Sequence, residues 1–437
     1  MDEQRSQAYV ALIEQLLNCP QGQEGELLQA HSDLLDAGLL EAMEQVATYL
    51  ESQGSGKAQR LHDFAAQLAP SLGLEISSQQ ETEAVRQFLL ETLLLIVDKH
   101  FDPQQIYPLW GQQQTQFNAD LLAVLPTVAA QLLEGDTEQR ISIAAVLEEF
   151  GNLINQFPLG IRWLNLELGI AAYQQLLQVR TRETMPIDWA ESMNNLANAH
   201  RNRIQGNRAQ NIEEAINAYG QSLQVRTREA MPVDWAISMM NLANAYAERI
   251  RGDRVENIEE AINAYQESLQ VITREAMPVE WATSMNNLAA AYYSRIQGDR
   301  AQNIEEAINV YGQSLQVRTR ESMPIKWAAS MNNLALAYAD RIRGDRAQNI
   351  EDAIAAHEQS LQVMTREAMP VDWAGSMMNL ANAHRNRIQG DRAQNIEEAI
   401  NAYEQSLQVM TRESMPIDWA ALMNNQQSQL LSLVRRN

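Results

Sequence analysis

Asparagine recurs at one position of this sequence with a spacing of 46 residues. The copies are Asn195, Asn241, Asn287, Asn333, Asn379 and Asn425. A side-chain amide donates and accepts hydrogen bonds at once, so a column of amides can bind the backbone of an extended peptide without reading its side chains. The alternative is structural, because each amide can instead bond a neighbouring helix and hold consecutive units in register. Both interpretations stay open at the level of sequence.

Other positions on the same predicted face differ between copies and are candidates for ligand selectivity. On a helical wheel of about 100° per residue, they lie opposite the residues that all copies share. The two arginines among them favour acidic side chains or a carboxylate in the ligand, because a guanidinium forms charge-assisted hydrogen bonds with carboxylates. Sequence drift without function is the alternative. The candidates are Asn198, Asn244, Asn382, Arg201, Tyr293 and Arg385.

Charged side chains also recur, but their repetition argues against acid–base catalysis. An active site needs its catalytic group once, so we interpret the repeated charges as ion pairs between units or as solvated faces. Three histidines, His200, His384 and His357, stand where sister copies have tyrosine, which predicts packing instead of metal binding. We therefore predict no enzyme, no metal site and no cofactor. The repeated charges are Arg249, Asp253, Arg254, Glu259, Glu260, Arg274 and Glu275.

The elements that position these residues are two helices in each unit of 46 residues. Within one copy, apolar residues recur at three- and four-residue steps, first from Trp235 to Ile250 and then from Ile258 to Leu269, which is helical spacing. Such a long period is typical of stacked supersecondary units that bury their apolar faces against one another. The tryptophans that begin the copies are Trp189, Trp235, Trp281, Trp327, Trp373 and Trp419.

The residues between the two series predict where the helices begin and end. Gly252 suits a left-handed backbone conformation after the first helix. Asn257 is predicted to cap the second helix, with Glu260 three residues later. Pro278 fits the first turn of the next helix, and Glu280 complements its dipole.

The chain is predicted to contain four segments. Residues 1–137 form an acidic helical domain without the repeat, with turns at Gly and Pro clusters near residues 19–22, 54–56 and 102–103. Residues 138–188 are a degenerate first repeat, because 165–173 align with 211–219. Residues 189–418 hold five full repeats, and residues 419–437 form a capping helix in which polar Gln426 and Gln427 face solvent.

Composition narrows the classes of function. The net charge is −23, and residues 1–160 contain 23 acidic and only 6 basic side chains, which argues against nucleic-acid binding. The single Cys19 excludes a disulfide framework, and an acidic N-terminus without an apolar stretch argues against secretion. The longest apolar run, near residues 88–97, is too short to cross a bilayer. We expect a cytoplasmic protein with no membrane contact.

The repeat resembles the tetratricopeptide repeat. Met239, Leu242, Ala243 and Tyr246 match the first part of that pattern, and Ala261 begins the second part, which ends at Tyr265. The usual period is about 34 residues, so each helix here is expected to be longer. The resemblance covers residues 165–437 and implies a right-handed α-solenoid of all-α class. It also implies that the asparagine-bearing face of the first helices lines a concave groove where peptides bind.

The sequence also resembles cyanobacterial proteins that combine such repeats with a caspase-like CHAT protease domain. The segments that carry this resemblance are 231–236, 251–254 and 257–262 in the repeat, and 36–46 and 155–160 before it. In that family the protease domain follows the repeats, whereas this sequence ends at Asn437. The resemblance therefore implies no peptidase activity for this sequence.

We predict a non-catalytic scaffold that binds an extended peptide or partner segment in the solenoid groove. Two alternatives are a subunit that regulates a separate CHAT-type protease in trans, and an architectural protein that self-assembles, with the N-terminal domain as a homo-oligomer contact. The sequence identifies neither the partner nor its orientation.

Overall fold

The computed structural model describes residues 3–19, 27–28, 30–31, 34–52, 57–68 and 75–434. Every regular element in these ranges is helical, so the all-α prediction is confirmed. The chain divides into two compact units, Met1–Gln131 and Leu132–Asn437. In the described ranges, none of the helices is both long and apolar enough to span a membrane. The turns predicted at residues 20–22 and 54–56 lie outside the described residues.

The first unit is a packed set of helices. Its N-terminal core contains Leu12, Leu16, Leu39 and Met43, each with an exposed fraction of 1% or less. Asp102 caps the helix that follows it by accepting a hydrogen bond from the Gln104 amide at 2.9 Å, as its turn position predicts. The helices described in this unit are Glu3–Asn18, Ala37–Ser52, Lys57–Leu68, Glu75–Asp98, Pro103–Gln112 and Ala119–Leu132.

The second unit consists of helix pairs that follow one another along the chain. A pair of Thr137–Gln156 and Arg162–Leu176 precedes five regular pairs, numbered here repeats 1 to 5, and a last helix Pro416–Val434 follows them. The regular pairs are Pro186–Asn202 with Arg208–Leu223, Pro232–Glu248 with Arg254–Leu269, Pro278–Ser294 with Arg300–Leu315, Pro324–Ala339 with Arg346–Leu361, and Pro370–Asn386 with Arg392–Leu407.

The helix boundaries differ from the prediction at the start of the second helix. Asp253, not Asn257, is the N-cap, and its carboxylate accepts from the Val255 amide at 2.6 Å. Asn257 lies inside the helix and donates to the Arg251 carbonyl oxygen at 2.8 Å, so it closes the preceding loop instead. Gly252 has the predicted left-handed conformation, with φ of 79°.

Small side chains let the two helices of a repeat pack closely. Ala236, Ala243 and Ala261 are completely buried, and the buried Ser268 hydroxyl donates to the Ala236 carbonyl oxygen at 2.8 Å. The prediction that Ile250 belongs to the packing face is wrong, since its exposed fraction is 62%. The first helix ends at Glu248, so the helical phase that would turn Ile250 inward stops before it.

The last helix only partly fits the prediction of a solvated cap. Gln427 is exposed, but Gln426 is buried, and its amide donates to the Glu404 carboxylate at 3.1 Å. The polar residue therefore bonds the preceding repeat, which is a wrong prediction for Gln426. Residues 435–437 lie outside the described part of the chain.

Candidate functional site

The candidate site is the face of the first helices that carries the asparagine column. In repeat 2 the helix begins at Pro232 with Asp234 in its first turn, where an acidic side chain complements the helix dipole. Leu242 and Ala243 are buried against the rest of the repeat. This packing fixes the helical phase and leaves Asn241 half-buried on the neighbouring part of the surface.

The asparagine column is neither sealed in the core nor fully exposed. All six side chains are half-buried. The Asn287 amide donates to the Asn244 side-chain oxygen of the preceding repeat at 2.9 Å, and the Asn425 oxygen accepts from Arg385 Nη1 at 3.5 Å. In the described residues, the side chains of the remaining copies form no hydrogen bond with the protein. Those copies are Asn195, Asn241, Asn333 and Asn379.

Three candidate selectivity residues also connect the two helices of their own repeat. The Tyr219 hydroxyl donates to the Asn198 side-chain oxygen at 2.6 Å, and burial raises the pKa of Tyr219, which keeps this donor neutral. The same bond joins Tyr265 to Asn244 at 2.5 Å and Tyr403 to Asn382 at 2.6 Å. These asparagines therefore have a structural role whether or not they bind a ligand.

Repeat 4 supports this interpretation, because both positions of the contact change there together. Repeat 3 has Ala290 at the asparagine position, and repeat 4 has Leu336. Where Leu336 stands, the second helix carries His357 instead of tyrosine, and His357 Nδ1 lies 2.9 Å from the Asn332 side-chain oxygen. The joint change of both positions in repeat 4 is a sequence signal for this contact.

The two arginines and the tyrosine of the candidate set differ in their surroundings. Arg201 is half-buried, and its Nε is buried without a hydrogen-bond partner. The Tyr293 hydroxyl donates to the Asp340 carboxylate of the next repeat at 2.6 Å, and burial together with this carboxylate raises the pKa of Tyr293. Arg385 donates through Nη1 to Asn425.

Two open cavities bring some of these residues together. A cavity of about 350 Å³ is lined by Arg201 of repeat 1, Asn244 and Tyr265 of repeat 2, and Asn287 of repeat 3. A second cavity of about 240 Å³ is lined by Asn195 and Asn198 together with residues of the preceding helix pair. The candidates that line neither cavity are Asn241, Asn333, Asn379, Tyr293, Asn382 and Arg385.

Among the repeated charges, those at the Arg249 and Glu259 positions form ion pairs between neighbouring repeats, as predicted. Arg249, just after the first helix of repeat 2, donates through Nε and Nη2 to both oxygens of Glu213 in repeat 1 at 2.8 Å. This bond lowers the pKa of Glu213. The same bidentate ion pair recurs at each later boundary between repeats, for example between Arg295 and Glu259 at 2.7 Å. These ion pairs connect consecutive repeats.

The histidines are packing residues, which confirms that prediction. His200 and His384 are each 8% exposed, and His357 is completely buried. Burial lowers the pKa of all three. For His384, the Glu398 carboxylate, which lies 3.1 Å from Nδ1, only partly offsets this effect. In the described part of the chain, no group of three or more His, Cys, Asp or Glu side chains is arranged to hold a metal ion.

Sequence reasoning missed one polar position near this face. Arg180, Arg226 and Arg318 occupy the same register after a second helix and are 5 to 6% exposed. Sister copies have isoleucine or methionine there, so the alternation between a charged and an apolar residue at one register is the signal that marks them.

Comparison with known proteins agrees with the repeat architecture. A family model for the tetratricopeptide repeat matches residues 189–229, 281–321, 327–363 and 373–412. No curated protein matches the chain.

Several solved structures resemble the chain at low identity. BtubC from P. vanneervenii is 16% identical over 58% of this chain and 91% of that one, with a TM-score of 0.42. A signal transduction ATPase with a tetratricopeptide repeat sensor, from Pyrococcus horikoshii, is 12% identical over 98% of this chain and 66% of its own, with a TM-score of 0.47. A Rap protein complexed with competence and sporulation factor is 12% identical over 82% of this chain and 100% of its own, with a TM-score of 0.41. The family match therefore identifies tetratricopeptide repeats in these four segments of the chain, and the paired helices there have the matching architecture.

Proposed function

We propose that the repeats form a non-catalytic scaffold that binds an extended segment of another protein along the first helices. Helical repeat arrays of this kind commonly present extended surfaces for protein binding. The observation that carries the proposal is the set of half-buried amides of Asn195, Asn241, Asn333 and Asn379, which have no hydrogen-bond partner within the described protein. Each has a donor and an acceptor available for the backbone of a ligand.

Contacts between repeats support the choice of this face. Across each repeat boundary, consecutive first helices contact one another, whereas a second helix contacts the first helix of the next repeat far more than its second helix. An array whose first helices lie closer together than its second helices bends toward the first helices. The asparagine column would then line the inner side of the bend, where one extended chain can reach several repeats.

The residues around the column suit a polar, partly acidic segment. In the larger cavity, Arg201 has an unused Nε beside Tyr265 and the amides of Asn244 and Asn287. A guanidinium with free donors favours a carboxylate. We expect ligand side chains to be selected here and near Asn198, while the column binds backbone.

Selection from a display library of random dodecapeptides, followed by binding measurements on variants, tests the proposal. Asn241→Ala and Asn333→Ala should each weaken the most enriched peptide about three- to tenfold, the effect of one or two lost hydrogen bonds, without changing the melting temperature. Asn287→Ala is less suitable because Asn287 also bonds Asn244. The matched control is Asn263→Ala on the exposed side of a second helix, which should leave binding unchanged.

Two results would contradict the proposal. If no peptide is enriched, the face does not bind extended segments. If Asn241→Ala and Asn333→Ala lower the melting temperature by several degrees and leave peptide affinity unchanged, the column serves register alone.

A self-assembling architectural protein is a second candidate, favoured by a row of exposed isoleucines. One isoleucine follows each first helix, and each is 60 to 62% exposed. Large oligomers or filaments of the pure chain in light scattering, with no enriched peptide, would support it. The row consists of Ile204, Ile250, Ile296, Ile342 and Ile388.

A subunit that regulates a CHAT-type protease remains a proposal from the sequence resemblance alone. The repeat segments 231–236, 251–254 and 257–262 carry it, together with 36–46 and 155–160 before the repeats. Co-purification of such a peptidase with the chain from native cells would support this role, and its absence would remove it.

A further inference from the structure

One register position after each second helix is buried in every copy, but its residue type changes. Ile272, Met364 and Met410 are at most 5% exposed and suit an apolar environment. Arg226 and Arg318 are 6% and 5% exposed at the same register. A buried guanidinium is strongly unfavourable unless a carboxylate or several acceptors compensate for its lost hydration. Each arginine therefore needs a partner.

Arg180, the first arginine at this register, has a carboxylate partner, although its Nε is buried without one. Its Nη1 donates to the Glu148 carboxylate and, at 3.0 Å, to the Ser192 hydroxyl. The Ser192 hydroxyl also lies 3.1 Å from Glu148, so the serine and the carboxylate together surround the cation. At this site the charge of the Glu148 carboxylate compensates for the charge of the buried arginine.

Arg226 retains the serine but not the carboxylate. The residue in register with Glu148 is Asn194, and Ser238 bridges Arg226 Nη1 at 3.3 Å and the Asn194 oxygen at 3.2 Å. Burial and Glu148 raise the pKa of Glu191, and the charge of Arg226 partly opposes this rise, so the Glu191 carboxylate is near this cation.

Arg318 has no such compensation. Asn286 replaces the carboxylate, and Ser330 accepts from Arg318 Nη1 at 3.0 Å and donates to Asn286 at 2.8 Å. The residue in register with Glu191 is Thr283. Its Nε is buried without a partner, as in Arg180 and Arg226, and burial alone lowers the pKa of Arg318. In the described residues, no carboxylate forms an ion pair with this guanidinium.

The position lies beside the proposed binding face. In repeat 5, a Cβ added to Gly375 would lie 3.9 Å from the Met410 Cε atom. Gly375 and Thr283 share one register on the first helix, as do Met410 and Arg318 on the segment after the second helix. Thr283 is partly exposed, so the side chain at the register that approaches Arg318 reaches solvent.

We propose that Arg318, Asn286 and Ser330 form an anion subsite that receives the carboxylate of an aspartate or glutamate from the bound segment. Arg318 makes no hydrogen bond through Nε or Nη2 within the described residues, and such adjacent donors match the two oxygens of a carboxylate. The ligand would supply in repeat 3 the group that Glu148 supplies to Arg180. This inference rests on the proposed function and adds the ligand chemistry at one position.

Two substitutions that copy sister sites test the subsite. Arg318→Met copies Met364 and Met410, and should raise the melting temperature by removing a buried charge. Asn286→Glu copies Glu148, and should neutralise Arg318 internally. Both variants should keep the fold, because the chain already contains each arrangement.

The probes are the most enriched dodecapeptide and its counterparts with each acidic residue changed to the amide. With the wild-type protein, one such change should weaken binding about tenfold, the effect of a charge-assisted hydrogen bond. With either variant, the same change should have no effect. A tenfold effect that persists in both variants overturns the subsite while the proposed function stands. Failure to enrich any peptide overturns both.

Discussion

The hydrogen bond between Asn198 and Tyr219 gives the sharpest prediction about stability. We expect a double-mutant cycle of Asn198→Ala and Tyr219→Phe to yield a coupling free energy of about 1 kcal/mol. The tyrosine is completely buried and its hydroxyl lies 2.6 Å from the amide oxygen, so the geometry is close to ideal. A neutral bond of this kind contributes about 0.5–1.5 kcal/mol after the competing bonds with water are counted.

The surroundings of Asn198 decide where in that range the value falls. Removal of a hydrogen-bond acceptor lowers the free energy of unfolding by up to about 3 kcal/mol when the donor stays buried without access to water. Asn198 lines an open cavity of about 240 Å³, however, so water can reach the hydroxyl after Asn198→Ala. We therefore expect the single substitution to cost about 1–1.5 kcal/mol.

The coupling free energy is measured by urea unfolding of the wild-type protein, the two single variants and the double variant, followed by circular dichroism. The curves are fitted with a nearest-neighbour model, which suits a chain of stacked repeats. Repeat 3 provides the control, because Ala290 offers no acceptor to Tyr311. Tyr311→Phe should change stability by a few tenths of a kcal/mol at most. A coupling near zero for Asn198 and Tyr219, or an equal effect of Tyr311→Phe, would refute the reasoning.

Three further predictions concern the repeat framework. The side chains of Arg295 and Glu259 are about a quarter exposed. A double-mutant cycle of Arg295→Gln and Glu259→Gln should therefore give a coupling free energy of only about 0.5–1 kcal/mol, which decreases at high salt. A coupling free energy that does not depend on salt would contradict this. Burial lowers the pKa of His357 to about 4, so the unfolded chain binds more protons and stability falls as the pH drops from about 6.5 to 4. The double substitution Leu336→Asn with His357→Tyr, which restores the sister pair, should reduce this slope in urea titrations across that window, and an unchanged slope counts against the assignment. Gly252→Ala should destabilise the chain by about 1 kcal/mol or more, because φ is 79° at this position. Gly220→Ala should stabilise it by about 0.5–1 kcal/mol, because Gly220 lies in a helix with open space around the added carbon. Melting temperatures that shift in the same direction for both variants would refute this prediction.

The sequence predicts the architecture well because each repeat carries the same local signals. The spacing of Trp235, Leu242 and Tyr265 places two helices in every unit, and the repeated Arg249 and Glu259 indicate ion pairs between units. The errors occur where periodicity stops being informative. Ile250 follows the helical phase but lies beyond the end of the helix, and Asn257 closes a loop after Asp253 has already capped the helix.

The candidate site is harder to predict, because a helical wheel shows which side of a helix a residue occupies but not which residues of other helices it contacts. Asn198 points toward the predicted face and yet reaches Tyr219 of the second helix, a contact that only the packed pair reveals. Arg318 looks like a surface charge in the sequence, and its burial depends on the next repeat supplying Ser330. Contacts across a repeat boundary cannot be read from the residues of one copy alone.

The most direct measurement of the central claim is site-specific photo-crosslinking of the most enriched peptide. A benzophenone amino acid replaces either Asn241 on the first helix or Asn263 on the second helix of the same repeat. Binding along the first helices predicts a crosslink from position 241 and none from position 263. A crosslink from position 263 alone would contradict the account.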